Sequence, residues 1–178
     1  PLADEVETLQ LYLDIERMRF EERLRTRFEI EPGAGQALLP AMLLQPLVEN
    51  AIKYAVTPQE EGARITVSAR VIGNRLRVAV SDTGPGAQSH GRRPLPDAVT
   101  GGRTHSTGVG LPNIRNRLAQ AYGEDHRFEI RTPPEGGFTV VIEVPYETVD
   151  SREPAPASAP EVLAAPAPQS LPSPGALT

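Results

Sequence analysis

The chain has 178 residues, is 39% hydrophobic and 23% charged, and carries a net charge of −5, which fits one ordinary globular domain with appendages and disfavours a nucleic-acid-binding surface. No run of about 18 apolar residues could span a bilayer, and no signal peptide is recognisable. Cysteine is absent, which excludes disulfides, thiol catalysis and cysteine-based zinc sites; His90, His105 and His126 have no metal-ligand spacing, and Lys53 is the only lysine.

Residues 2–25 read as one amphipathic helix. Leu2, Val6, Leu9 and Leu13 recur at helical spacing, with Phe20 and Leu24 continuing the stripe. Leu11, Ile15 and Met18 form a second stripe beside it, so this helix is expected to need a partner, either another helix or a second copy of the chain. After a turn at residues 32–35, a second helix is expected over 42–55. Leu44, Leu47, Val48, Ala51, Ile52 and Ala55 share one face, while Gln45, Glu49, Asn50, Lys53 and Tyr54 share the other. Pro46 falls in the first turn, where proline is tolerated.

Two alternating strands follow at 64–71 and 75–81, joined by a hairpin turn at Gly73 and Asn74. Residues 83–107 are rich in glycine and proline and lack periodicity, so the segment 87–107 is expected to be a lid or disordered. A helix over 111–122 precedes two more strands, 127–131 and 137–144; Phe138, Val140, Ile142 and Val144 alternate through the second. The last stretch, 150–178, is rich in Pro, Ala and Ser with no aromatic residue, and is expected to be a disordered tail. This order predicts an α/β (α+β) two-layer sandwich: a mixed, mostly antiparallel sheet with helices on one face, plus the N-terminal helix.

Three short boxes carry chemistry. The first is Glu49-Asn50-x-x-Lys53-Tyr54 on the polar helix face. An amide oxygen beside a carboxylate suits magnesium, which takes one or two protein oxygens along with phosphates and water. Lys53 can offset phosphate charge; a solvated Glu49–Lys53 pair four residues apart is the plain alternative. The second is Asp82-Thr83-Gly84-Pro85-Gly86, directly after a buried strand. Asp82 there can accept a hydrogen bond from an exocyclic amine, and Gly84 and Gly86 permit close backbone approach; an ordinary strand-to-loop turn would look similar. The third is Thr107-Gly108-Val109-Gly110-Leu111 before a helix carrying Asn113, Arg115 and Arg117. Amides at a helix N-terminus form an anion site, although Gly-x-Gly is weak evidence and matches neither a P-loop nor a dinucleotide fingerprint. One magnesium nucleotide explains all three boxes, with adenine at Asp82, the metal at Asn50 and phosphates at residues 108–111.

These boxes resemble the GHKL ATPase superfamily and, within it, the sensor histidine kinases of the LytS/YehU type. Leu44-Gln45-Pro46-Leu47-Val48-Glu49-Asn50-Ala51-Ile52-Lys53 looks like that subfamily's N box. Asp82-Thr83-Gly84-x-Gly86 and Gly108-Val109-Gly110-Leu111-x-Asn113-Ile114-Arg115-x-Arg117-Leu118 are similar to its two glycine boxes. Gly136-Gly137-Phe138-Thr139 resembles its last glycine-containing strand start, and Tyr12-Leu13-x-Ile15-Glu16-x-x-Arg19-Phe20 the segment after its phosphoacceptor helix. The resemblance covers residues 2–146 and implies a Bergerat-type ATP pocket. In it Asn50 binds magnesium and Glu49 orients a water or metal ligand. Lys53 approaches phosphate and Tyr54 the side of the nucleotide. Asp82 binds the adenine amine, with Thr139 supporting it through water.

The resemblance implies a domain division into 1–30 (end of a dimerisation and phosphotransfer helical region), 31–149 (catalytic domain) and the tail. The expected partners are ATP, a second copy in the intact protein and a response regulator, with no nucleic acid and no membrane contact by these residues. The expected location is cytoplasmic, the intact protein being open to anchoring in a bacterial inner membrane. Two departures stand out. Tyr54-Ala55 replaces the subfamily's usual His-Gly, and none of the three histidines has the family's phosphoacceptor context. The chain is therefore expected to start downstream of that histidine and to bind ATP without phosphorylating itself. Another GHKL ATPase, such as an anti-sigma-factor serine kinase, and a scaffold that has lost nucleotide binding are the rival expectations.

Overall fold

In the computed structural model, residues 1–86 and 110–152 are described; the expected lid at 87–107, together with Thr107, Gly108 and Val109, and most of the expected tail lie outside them. Helix α1 (Leu2–Phe20) buries Leu2, Val6, Leu9, Leu13 and Phe20. Asp4 and Glu5 lie in its first turn and Arg17 and Arg19 in its last, which suits the helix dipole. Its second stripe stays on the surface, with Leu11 63%, Ile15 61% and Met18 78% exposed.

The expected helix over 2–25 ends five residues early. Glu21 adopts φ 52°, a left-handed conformation that stops α1, and a single 3-10 turn (Glu21–Arg23) leads into strand β1 (Leu24–Ile30). Leu24, placed by its spacing on the helix stripe, is instead the first residue of a strand. Arg25, Arg27 and Glu29 alternate with Leu24, Thr26, Phe28 and Ile30 along it, and β1 forms an edge of the sheet. Charged side chains on an edge strand discourage pairing with other chains.

Strands β2 (Ala63–Ile72) and β3 (Arg75–Asp82) form the expected hairpin, and β4 (Arg127–Arg131) and β5 (Phe138–Pro145) form a second. The sheet order is β1-β2-β3-β5-β4, with β1 parallel to β2 and every other pair antiparallel. One face is apolar: Ile65, Val67, Ala69, Leu76, Val78, Val80, Phe138, Val140, Ile142 and Val144 join the buried residues of the helices in a single core. The alternate positions carry Arg77 and Glu143, paired at 3.6 Å across β3 and β5.

Helix α2 (Gln45–Ala51) begins three residues later than expected, because Met42 sits at φ 55° and cannot open a right-handed helix. The chain continues from α2 through a π-turn, Ile52–Val56, where the Thr57 amide and hydroxyl both donate to the Ile52 carbonyl. Helix α3 (Gly110–Tyr122) buries Leu111, Ile114 and Leu118, and a short helix α4 (Val149–Arg152) closes the described chain. Among the described residues no helix is long and apolar enough to cross a membrane.

Candidate functional site

Asp82 ends β3 and is the one buried charged side chain among the described residues, 6% exposed. A carboxylate in such a position is costly unless hydrogen-bonded. Its Oδ1 accepts the Gly84 amide at 3.0 Å. The turn after Asp82 is pinned on both sides. The Thr83 amide donates to the Arg64 carbonyl at 3.1 Å, the Arg64 amide donates to Thr83 Oγ1 at 3.0 Å, and the Gly137 amide donates to the Gly84 carbonyl at 2.8 Å.

Glycine is required here by space. A Cβ on Gly84 would lie 2.5 Å from Ala55 Cβ and 2.8 Å from Ala55 Cα. The second box therefore presses directly on the end of the first, one residue beyond Tyr54. Gly86 and Gly137 take φ values of 76° and 87°, which favour glycine.

On the helix side, Leu47, Val48, Ala51, Ile52, Ala55 and Val56 are buried, Glu49 and Lys53 are exposed, and Asn50 and Tyr54 are half-buried. The apolar face predicted from spacing is thus the buried one. Gln45 Nε2 donates to Glu49 Oε1 at 2.9 Å, and Lys53 Nζ sits 5.1 Å from the centre of the Tyr54 ring. Lys53 and Tyr54 lie in the π-turn rather than in regular α-helix; such turns are frequent at functional sites.

Gly110 opens α3, with Leu111 buried and Asn113 exposed. A cleft of about 410 Å³ is lined by Pro46 of α2 and by Gly110, Asn113, Ile114, Asn116, Arg117 and Gln120 of α3. The N-terminal end of α3 thus faces the first turn of α2. The second box thus meets the end of the first at Ala55, and the described part of the third meets Pro46 at the start of α2; Thr107, Gly108 and Val109 fall outside the described residues.

Thr139 is the exception. In register, Asp82 pairs with Phe138 and Ser81 with Thr139. Side chains alternate across a sheet, so Thr139 and Asp82 point to opposite faces. Thr139 Oγ1 donates to Ser81 Oγ at 3.1 Å and does not sit beside Asp82.

The donors match a magnesium nucleotide in kind. Asn50 offers an amide oxygen next to the Glu49 carboxylate, Asp82 offers a buried acceptor, and Gly84 and Gly86 offer unobstructed backbone. No cluster of three or more His, Cys, Asp or Glu exists among the described residues; magnesium held partly by phosphates does not need one.

A two-layer sandwich with a buried aspartate at a glycine turn against an Asn-bearing helix defines an ATP-binding domain of the GHKL class. The match to known proteins agrees: residues 35–148 fit the family of histidine kinase-, DNA gyrase B- and HSP90-like ATPases, and the chain belongs to it. Within that family its similarity is to sensor histidine kinases. It is 36% identical over 144 residues to the sensor histidine kinase YesM of Bacillus subtilis, which covers 81% of this chain and 23% of that protein. It is 33% identical to the sensor protein LytS of Enterococcus faecalis (83% and 25% covered) and 31% identical to the sensor histidine kinase BtsS of Escherichia coli (82% and 24%). The chain spans about a quarter of the length of these relatives. Among solved structures, the catalytic domain of the histidine kinase ThkA superposes with a TM-score of 0.57 at 17% identity, covering 82% of this chain and 92% of that one. The histidine kinase domain of a blue-light activated kinase from Erythrobacter litoralis gives 0.54 at 18% identity (82% and 61% covered). At such identities these structures establish the fold. Together with the family match and the sensor-kinase relatives, they make this chain an ATP-binding catalytic domain of the histidine-kinase type.

Proposed function

We propose that the chain binds magnesium-ATP between α2, the Asp82 turn and the start of α3, and that the intact protein transfers the γ-phosphoryl group to a histidine outside this chain. That phosphoryl group then passes to an aspartate of a response regulator. The observation that carries the proposal is the contact of Gly84 with Ala55, which joins the buried acceptor Asp82 to the helix bearing Asn50 and Lys53.

In this arrangement Asp82 accepts the adenine amine, Gly84 and Gly86 let the base approach, and Tyr54 flanks the nucleotide. Asn50 holds magnesium, which neutralises phosphate charge, and Glu49 orients a water or metal ligand. Lys53 and the amides of Thr107, Gly108, Val109, Gly110 and Leu111, with Asn113, receive the phosphates. Positioning and charge neutralisation carry such a transfer. The exposed stripe of Leu11, Ile15 and Met18 supports self-association of the intact protein, and α1 would join the catalytic domain, whose sheet includes residues 24–30 as β1, to its phosphotransfer region. The proposed location is cytoplasmic.

A chain extended upstream to include the candidate acceptor histidine, incubated with γ-labelled ATP, tests this. Acid-labile label on histidine that disappears in Asp82→Ala is expected. Acid-stable phosphoserine on a partner protein would instead indicate a serine kinase of the same fold and overturn the proposal.

A further inference from the structure

Helix α2 is short: seven α-helical residues followed by the five-residue π-turn. Isolated helices of this length are not stable in water, so tertiary contacts must set its position. It has no side-chain cap from its own N-cap residue. The cap comes from α1 instead. The Leu44 amide donates to Glu5 Oε1 at 2.5 Å, and the amides of Leu43 and Gln45 also act on that carboxylate.

The other end is held from the same segment. Arg23, between α1 and β1, donates through Nη2 to the carbonyls of Val56 at 3.1 Å, Thr57 at 3.1 Å and Gln59 at 2.8 Å, and through Nε to Gln59 at 3.2 Å. The backbone after the π-turn is pressed onto it, since a Cβ on Gly62 would meet the Arg23 carbonyl oxygen at 1.9 Å. A carboxylate therefore sits at the positive end of the helical segment and a guanidinium at the negative end. Between them, Glu49 lies close enough to Tyr12 of α1 to act on its phenol. From the other side of the cleft, Arg117 of α3 donates to the carbonyls of Ala41 and Met42, and its charge reaches Glu5.

We propose that Glu5 and Arg23 are positioning residues of the nucleotide site: α1 and the 3-10 turn that directly follows it hold the two ends of the segment carrying Asn50 and Lys53, so a displacement of α1 with its turn is delivered to those two side chains. This rests on the ATP-binding role of α2. Neither residue touches the nucleotide; each acts through the backbone it holds. A solely structural role would lower stability without changing the site, so the test separates the two.

The full chain is compared with Glu5→Ala, Arg23→Met, Glu5→Gln and Ile130→Ala, the last a destabilising change on the far edge strand β4. Magnesium-ATP affinity is measured by calorimetry, melting temperature by scanning, and amide exchange over residues 44–57 by mass spectrometry. Glu5→Ala and Arg23→Met should each weaken binding about tenfold and speed exchange across 44–57, on the scale of a lost cap or charged hydrogen bond. Glu5→Gln, which keeps an acceptor, should restore most of the affinity, and Ile130→Ala should bind like the parent despite its lower melting temperature. Parental affinity in both Glu5→Ala and Arg23→Met, or equal weakening in Ile130→Ala, overturns the proposal. Absence of saturable binding in the parent chain overturns the ATP pocket instead; the grip is then judged by exchange alone, and unchanged protection of 44–57 in both variants refutes it.

Discussion

Replacing Gly84 by alanine adds one methyl group to the most crowded contact of the site. The new Cβ would lie 2.5 Å from Ala55 Cβ, 2.8 Å from Ala55 Cα and 2.9 Å from Asp82 Oδ1, against the 3.4 Å at which ordinary contact begins. Gly84 is not among the glycines with positive φ, so alanine meets no backbone penalty there and the clash is the whole effect. Ala55 Cβ and Cα cannot give way without backbone movement, so the Asp82 turn and the π-turn must separate, by about 1 Å from those distances, while Asp82 Oδ1 is displaced with them. Overpacking of this kind costs about 1–3 kcal/mol, which lowers the melting temperature by roughly 2–4 °C per kcal/mol in a chain of this length. The same displacement moves Asp82 relative to Asn50, to which the proposed pocket assigns opposite ends of one ligand, and should weaken magnesium-ATP binding by roughly tenfold or more. Ala55→Gly removes the nearest obstacle, at its own cost of about 0.5–1 kcal/mol for glycine in a helix. The double variant Gly84→Ala, Ala55→Gly should therefore be less destabilised than the sum of the singles, with a coupling of about 1 kcal/mol measured by urea unfolding. Parental stability and affinity in Gly84→Ala, or strict additivity in the double variant, would refute the close-contact reasoning.

Burial pushes the Glu5 carboxyl above its ordinary range despite the opposing Leu44, Leu43 and Gln45 amides and Arg117. The folded state thus binds this proton more tightly than the unfolded state, and stability from this group falls as pH rises through the window just above 4.5. Unfolding free energies of the parent chain minus Glu5→Gln should decline across that window; a difference that rises with pH would contradict the assignment. Leu13→Ala, at a fully buried position, should cost about 2–5 kcal/mol by denaturant unfolding, whereas Leu11→Ala should stay within about 0.5 kcal/mol. The triple change Leu11→Ser, Ile15→Ser, Met18→Ser should reduce self-association of the upstream-extended chain in sedimentation without lowering the melting temperature by more than a few degrees; unchanged association would remove that stripe as the dimer contact.

The two hairpins and α3 were legible because each carries one clean period: two in 64–71, 75–81 and 137–144, and helical spacing in 111–122. Strand β1 was missed although its signal is present, since Leu24, Thr26, Phe28 and Ile30 alternate with Arg and Glu. Leu24 also falls on the extrapolated α1 stripe, and the turn at Glu21 that breaks the helix has no glycine or proline to announce it. The late start of α2 has a similar origin: Leu43 and Leu44 are as apolar as the helix they precede, and only the backbone of Met42 marks the boundary. For the site, motif order led to Asn50, Asp82 and Gly84; the fold seats Gly84 against Ala55, five residues after Asn50 on the same segment. Thr139 was misassigned against evidence already in the sequence, because Phe138 and Val140 on the core face send Thr139 to the other side. Glu5 and Arg23 left no trace, since a glutamate in a first helical turn and an arginine at a helix end look solvated, and their partners lie 39 and 33–36 residues away.

The central claim is that Asp82 is the buried acceptor for the adenine amine, and a paired nucleotide titration tests it most directly. Calorimetry on the full chain and on Asp82→Asn, with ATP and with GTP in magnesium, should give saturable binding of one ATP to the parent and none of GTP, which presents a carbonyl where adenine presents an amine. The same titration should give loss of ATP binding in a folded Asp82→Asn. ATP binding retained in Asp82→Asn, or GTP binding equal to ATP in the parent chain, would contradict it.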